Sequence, residues 1–304
     1  MGKFINKFGG RRALINTSKA KVLLMLSIIL LSKRFLGGGA VGLVGWGGAQ
    51  VIIPGMTHST MGLTQLSATG ISLSCLSLST VSSGFKFARD DAVDMYTSLA
   101  IAIPSVVSAR LGTHIAKRLS GDALSLIFNG MSIILIPIHF WIQQRAQERR
   151  KKSIQVLSKS SDKSAHERYH DGYDSFEYTK AVQHASFGVC SGFVSSLMGV
   201  GGLPLTMSYL TEATNLPHHL IQGTAICALV PSIITSALSR IHSIPLGIAG
   251  IVAGGAVVGG FTGAQVALNT SEERLRQLYM LSLVVFGGRS VVAASRNIKN
   301  IWFK

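Results

Sequence analysis

Two arginines are the side chains best placed for chemistry in this sequence, Arg110 in "SVVSARLGT" and Arg289 in "VVFGGRSVV", each within an apolar run. A charge at the centre of a membrane helix costs about 2.5–3.5 kcal/mol on insertion scales, so it requires water or a partner of opposite sign. Neither run contains a carboxylate. Each arginine therefore either reaches back to the membrane surface or meets an anionic ligand. The backbone supplies a second candidate. "GLVGWGGAQVIIPG" (Gly42–Gly55) and "SSLMGVGGLPLTMS" (Ser195–Ser208) place poor helix formers inside hydrophobic stretches. A glycine in a helix interior costs up to about 1 kcal/mol and a proline about 3 kcal/mol. Membranes tolerate such breaks where neighbouring segments or a watery cavity satisfy the freed backbone, and broken helices present N–H groups that attract anions. Candidate binding residues are thus Gly45, Gly47, Gly48, Gly199, Gly201, Gly202 and Pro204, with Arg110 and Arg289. Close packing is the competing use of these glycines, since Gly38 and Gly42, like Gly259 and Gly263, stand four apart.

Other chemistries lack their residues. Cys75, Cys190 and Cys227 fall singly in apolar segments, without metal-ligand spacing, and read as small core residues. His58, His218 and His219 fall in loops between spans, while His184 just precedes a span and His139 ends one; solvated histidines are the expectation. "GVCSG" (Gly188–Gly192) misses the spacing of an intramembrane serine protease, no pair of Asp lies within the spans, and neither HExxH nor GxxxxGK[ST] occurs. The expectation is no enzyme, no cofactor and no metal.

The elements that must hold these candidates are membrane spans. Charged residues make up 14% of the chain against 47% hydrophobic, well below the charge content of soluble domains. The acidic residues lie in loops, in a central linker or at segment ends, which leaves apolar runs long enough to cross a bilayer. Eight spans are expected, Leu36–Met56, Gly62–Phe85, Met95–Thr113, Ala123–Ile142, Phe187–Leu210, Leu220–Ile241, Ile244–Leu268 and Leu275–Ala294. Ser and Thr crowd the second, where hydroxyls face other helices or water rather than lipid. "VLLMLSIILL" (Val22–Leu31) is too short for a separate crossing and reads as a signal core, an interfacial helix or an extension of the first span.

The formal charge of +16 reflects topology better than nucleic-acid binding. With the N-terminus inside, the arm, "KFARDD", the linker, the loop at Arg240 and the tail hold most of the Lys and Arg, and outer loops hold only Lys117, Arg118, Arg274 and Arg276. Both termini are then inside. The linker "QQRAQERRKKSIQVLSKSSDKSAHERYHDGYDSFEYTK" (Gln143–Lys180) is polar, without a sustained apolar stripe, and reads as flexible. The chain divides into an arm (1–35), a four-span half (36–142), the linker (143–180), a second half (181–294) and a tail (295–304). No acidic residue precedes Asp90, a composition shared with mitochondrial presequences but also explained by the positive-inside rule alone; the plasma membrane is favoured, with the mitochondrial inner membrane as the alternative.

The halves echo each other. "GWGG" (Gly45–Gly48) matches "GVGG" (Gly199–Gly202), and "ATG" (Ala68–Gly70) parallels "GTA" (Gly223–Ala225), which adds Thr69 and Thr224 to the candidate site. An even span count makes the halves parallel repeats; a re-entrant glycine segment would invert them. "GGGAVGLVGWGGAQVIIP" and "GVCSGFVSSLMGVGGLPLTMSYL", each followed by a span rich in small residues, resemble the TauE/SafE family of sulfite exporters. That resemblance implies an all-α integral membrane protein that transports sulfite, thiosulfate or organosulfonates, usually outward. Its partners would be a small sulfur anion and the lipid bilayer, with no nucleic acid and with homo-oligomerisation open. The alternatives are a carrier or channel of the same fold for another organic anion, or a membrane assembly protein that transports nothing.

Overall fold

The computed structural model describes Leu43, Ile53 and residues 64–159, 178–214, 216–241, 246–282 and 284. Those residues form helices joined by short turns and connections, with no strand among them. The helices are α1 (Gln65–Arg89), α2 (Met95–Arg118), α3 (Gly121–Lys159), α4 (Tyr178–Met198), α5 (Leu203–Ala213), α6 (His218–Ser239), α7 (Leu246–Asn269) and α8, which begins at 272. Thr64 caps α1 by accepting from Ser67 N, and Asp94 caps α2 by accepting from Tyr96 N and Thr97 N. Both α2 and α6 are long and apolar enough to cross a membrane.

Burial on α2 is inverted relative to a soluble helix. Ser105, Ser108, Gly112 and Thr113 are buried, whereas Ile103, Val107 and Leu111 are 69%, 66% and 60% exposed. Small polar residues face neighbouring helices and branched apolar ones face outward, the pattern expected when the outside is lipid. The hydroxyls of α1 are also spent on helix contacts: Ser79 donates to the Ala256 carbonyl at 2.8 Å, Ser82 to that of Val257 at 3.0 Å, and Thr80 to that of Leu76 at 2.7 Å.

Helix directions follow from the contacts. Gly188, Gly192 and Ser196 of α4 lie against Ile101, Ser105 and Gly112 of α2, so α4 runs parallel to α2. Gly84 meets Cys227 and Gly223 meets Ala92, so α6 runs antiparallel to α1. The chain then returns along α1 through α7, and Glu272 beyond it accepts from His218 N at 2.9 Å.

Span five departs from the expected single crossing. Between α4 and α5 the chain reverses, placing Gly202 against Ser191 and Ser195 and bringing Tyr209 to within 2.9 Å of His184. Continued straight, those two residues would stand about 37 Å apart at 1.5 Å per residue. Phe187–Leu210 is therefore a hairpin whose short second arm returns along the first. This reversal also corrects the expected sidedness. Arg240 lies at the end of the bundle opposite Arg89 and the linker, not beside them, while Arg274 and Arg276, expected in outer loops, lie in the first turns of α8 at the linker end.

Three smaller corrections concern local structure. The first part of the linker continues α3 as far as Lys159, because its Gln, Ala, Glu, Arg and Lys are good helix formers. His218, expected to be solvated, is buried and edge-on to Tyr279, and His184 is buried against Tyr209. Cys190 is exposed, unlike buried Cys75. The chain termini fall outside the described residues.

Candidate functional site

The hairpin turn is built from residues that only glycine can supply. Gly199, Gly201 and Gly202 have φ of 75°, 83° and 68°, the left-handed region that side chains disfavour. Space is as restrictive as conformation at Gly199, where a Cβ would lie 2.6 Å from Thr69 Cβ. Gly202 in turn caps α5, and Pro204 sits in the first turn of that helix. There its missing N–H is not needed, so Pro204 starts a helix instead of breaking one at a cost.

Around this turn three helices converge on one cation. Arg240, at the C-terminal end of α6, is wholly buried at 0% exposure. Its Nη1 donates to Thr69 Oγ1 at 2.5 Å and its Nη2 donates to the Ser196 carbonyl. Ser72 donates to the Gly199 carbonyl at 3.2 Å, tying α1 to the turn. Arg240 Nε has no hydrogen-bond partner among the described residues, and neither do the buried hydroxyls of Ser195 and Thr113. No carboxylate pairs with Arg240 among the described residues. Burying a charge costs several kcal/mol unless it is paired, so this arrangement is suited to receiving an anion.

The structure brings together Thr69, Gly199, Gly201, Gly202 and Pro204 from the expected set. Thr224 is elsewhere: it accepts from Asp94 N at 2.9 Å, at the opposite end of α1. Arg110 is exposed on the outer face of α2 beside Val107 and Leu111, which fits a side chain reaching toward the membrane surface and removes it from the turn. Gly45, Gly47, Gly48 and Arg289 lie outside the described residues. Sequence reasoning missed Arg240 and Ser196. Arg240 stands at the end of an apolar run, followed by "IHSIP", and so reads as an ordinary loop cation.

Comparison with known proteins bears on what such a site serves. No curated protein and no solved structure matches the chain. The family model described as sulfite exporter TauE/SafE matches residues 33–290, most of the chain. With its helices, its outward apolar surface and its glycine turn beside a buried arginine, the chain belongs to the TauE/SafE sulfite exporter family of membrane transporters.

Proposed function

We propose that this protein is a secondary carrier of small anions, with sulfite, thiosulfate or an organosulfonate as cargo and export as the direction. One observation carries the reading: a wholly buried arginine without a carboxylate partner among the described residues, held at a backbone break between segments of both halves. A structural ion pair would contain its own anion, whereas a carrier borrows one from its cargo. Thr69 and Gly199–Gly202 form one wall of this site. Gly45, Gly47 and Gly48, matching in sequence, are proposed to form the other, with Arg289 attracting the anion farther along its path, outside the Arg240 site.

The halves, 36–142 and 181–294, are proposed to be inverted repeats. Support comes from the hairpin, which adds one reversal to the second half, and from the opposite directions of α1 and α6, which carry the matching "ATG" and "GTA". Inverted repeats around a site of broken helices are the common plan of secondary transporters. The linker end, with Lys86, Arg89, Arg274 and Arg276, is assigned to the inside of the plasma membrane.

The test is flux through the purified protein in liposomes, using labelled sulfite, thiosulfate and acetate. Saturable flux of a sulfur anion, lost in Gly201→Leu, is expected. Flux of acetate alone would transfer the fold to organic anions, and no flux of any of the three would remove the transport reading.

A further inference from the structure

The charge balance of the Arg240 site bears on which ionic form of the cargo it accepts, an inference that rests on the transport reading above. We infer that the site selects singly charged sulfur oxyanions, hydrogen sulfite or an alkanesulfonate, over doubly charged sulfate, thiosulfate and the sulfite dianion.

Arg240 is the one wholly buried Lys or Arg among the described residues. Its nearest partners, the Thr69 hydroxyl and the Ser196 carbonyl, are neutral. Ser195 Oγ, which lies by Gly202 at the turn and has no partner among the described residues, is neutral too. Among the described residues the site therefore supplies one unit of positive charge and several dipoles. A monoanion cancels that charge and leaves a neutral pair, which a low-dielectric interior tolerates. A dianion leaves one net negative charge out of water, and hydroxyl dipoles offset only part of its desolvation. The donors suit an oxyanion as well. Arg240 Nε–H has no acceptor, and a guanidinium fork matches two oxygens held on one central atom. The Ser195 hydroxyl remains to donate to a further oxygen. A halide would use the charge and waste the geometry.

Sulfite makes the inference testable, because its second proton dissociates near neutrality. Mildly acid buffer presents hydrogen sulfite and mildly alkaline buffer presents the dianion. Methanesulfonate keeps a single charge throughout, so it reports any pH effect on the protein itself.

The experiment compares the full-length protein in liposomes with labelled methanesulfonate, sulfite and sulfate across that pH range. Methanesulfonate flux is expected to be saturable and nearly flat with pH. Sulfite flux, divided by methanesulfonate flux, is expected to fall about tenfold per pH unit above the acid's pKa. Sulfate is expected neither to cross nor to compete. Arg240→Gln is expected to lower methanesulfonate flux on the order of a hundredfold, with Arg240→Lys restoring part of it. Sulfate carried as well as methanesulfonate, or a sulfite ratio that rises with pH, would overturn the inference and leave the carrier reading standing. Absence of flux for all three anions would overturn the carrier reading and this inference with it. If Arg240→Gln does not fold, the wild-type sulfite ratio and the sulfate arm decide alone.

Discussion

Thr69 and Thr224 sit in matching sequence motifs of the two halves, yet their hydroxyls serve opposite purposes. Thr69 accepts from the buried Arg240 beside the left-handed turn at Gly199–Gly202. Thr224 accepts from Asp94 N, where the Asp94 carboxylate already caps α2. One end of α1 therefore keeps a cation without a carboxylate partner among the described residues, beside a left-handed glycine turn. About 30 Å away, by helix rise, the other end is closed by neutral hydrogen bonds, a helix cap and the exposed Lys86–Asp90 pair at 2.7 Å. Similar short motifs carry the same residue to both ends, and neighbouring side chains assign the work. Stability and ligand binding should consequently separate along the molecule.

The largest effect that would break this contrast is expected at Gly199. Gly199→Val forces a branched residue to φ 75° and pushes its Cβ into Thr69. A loss of more than about 3 kcal/mol is expected, seen as loss of monodisperse protein on size exclusion. Gly254→Ala is the control, since its Cβ would meet nothing within 4 Å, and it should leave the elution profile unchanged.

The threonines sharpen the comparison directly. Thr69→Val removes the acceptor for Arg240 Nη1 and should weaken anion transport on the order of tenfold in apparent affinity, about 1.4 kcal/mol. Thr224→Val should cost a similar free energy in thermal stability while leaving the apparent affinity of the anion unaltered. Equal shifts in affinity from both variants would sink the assignment of the site to one end.

Smaller still is the expected effect of Asp94→Ala, which removes a helix cap at the closed end. About 1 kcal/mol of stability should be lost, measured as a lower unfolding temperature in detergent. Least of all is expected from Arg110→Gln. Its side chain is exposed on the outer face of α2, so flux should remain within about twofold of wild type. A large loss there would reopen Arg110 as a site residue.

Much of the fold was legible beforehand for specific reasons. Apolar runs free of carboxylates located the helices later found as α1, α2, α6 and α7, because a membrane excludes charge whatever the tertiary contacts. The glycine motif at Gly199–Gly202 announced a break for an equally local reason: its three glycines occupy backbone angles costly to any other residue. Periodicity could not show that the break reverses the chain. A kinked span and a hairpin have the same hydropathy, and only contacts such as Tyr209 with His184 separate them. Pro204 was misjudged likewise, since its cost depends on whether it lies within a helix or in its first turn.

By itself, then, the sequence determined that this is an α-helical membrane chain, where its backbone must bend, and which family it belongs to. Each of those properties depends on residues close together along the chain. Tertiary structure decided which cation is buried. Arg240 and Arg110 both end up near the ends of apolar runs, and nothing local distinguishes them. One faces outward beside Val107 and the other is enclosed by Thr69 and Ser196, because a hairpin 40 residues earlier in the chain sets what lies beside it.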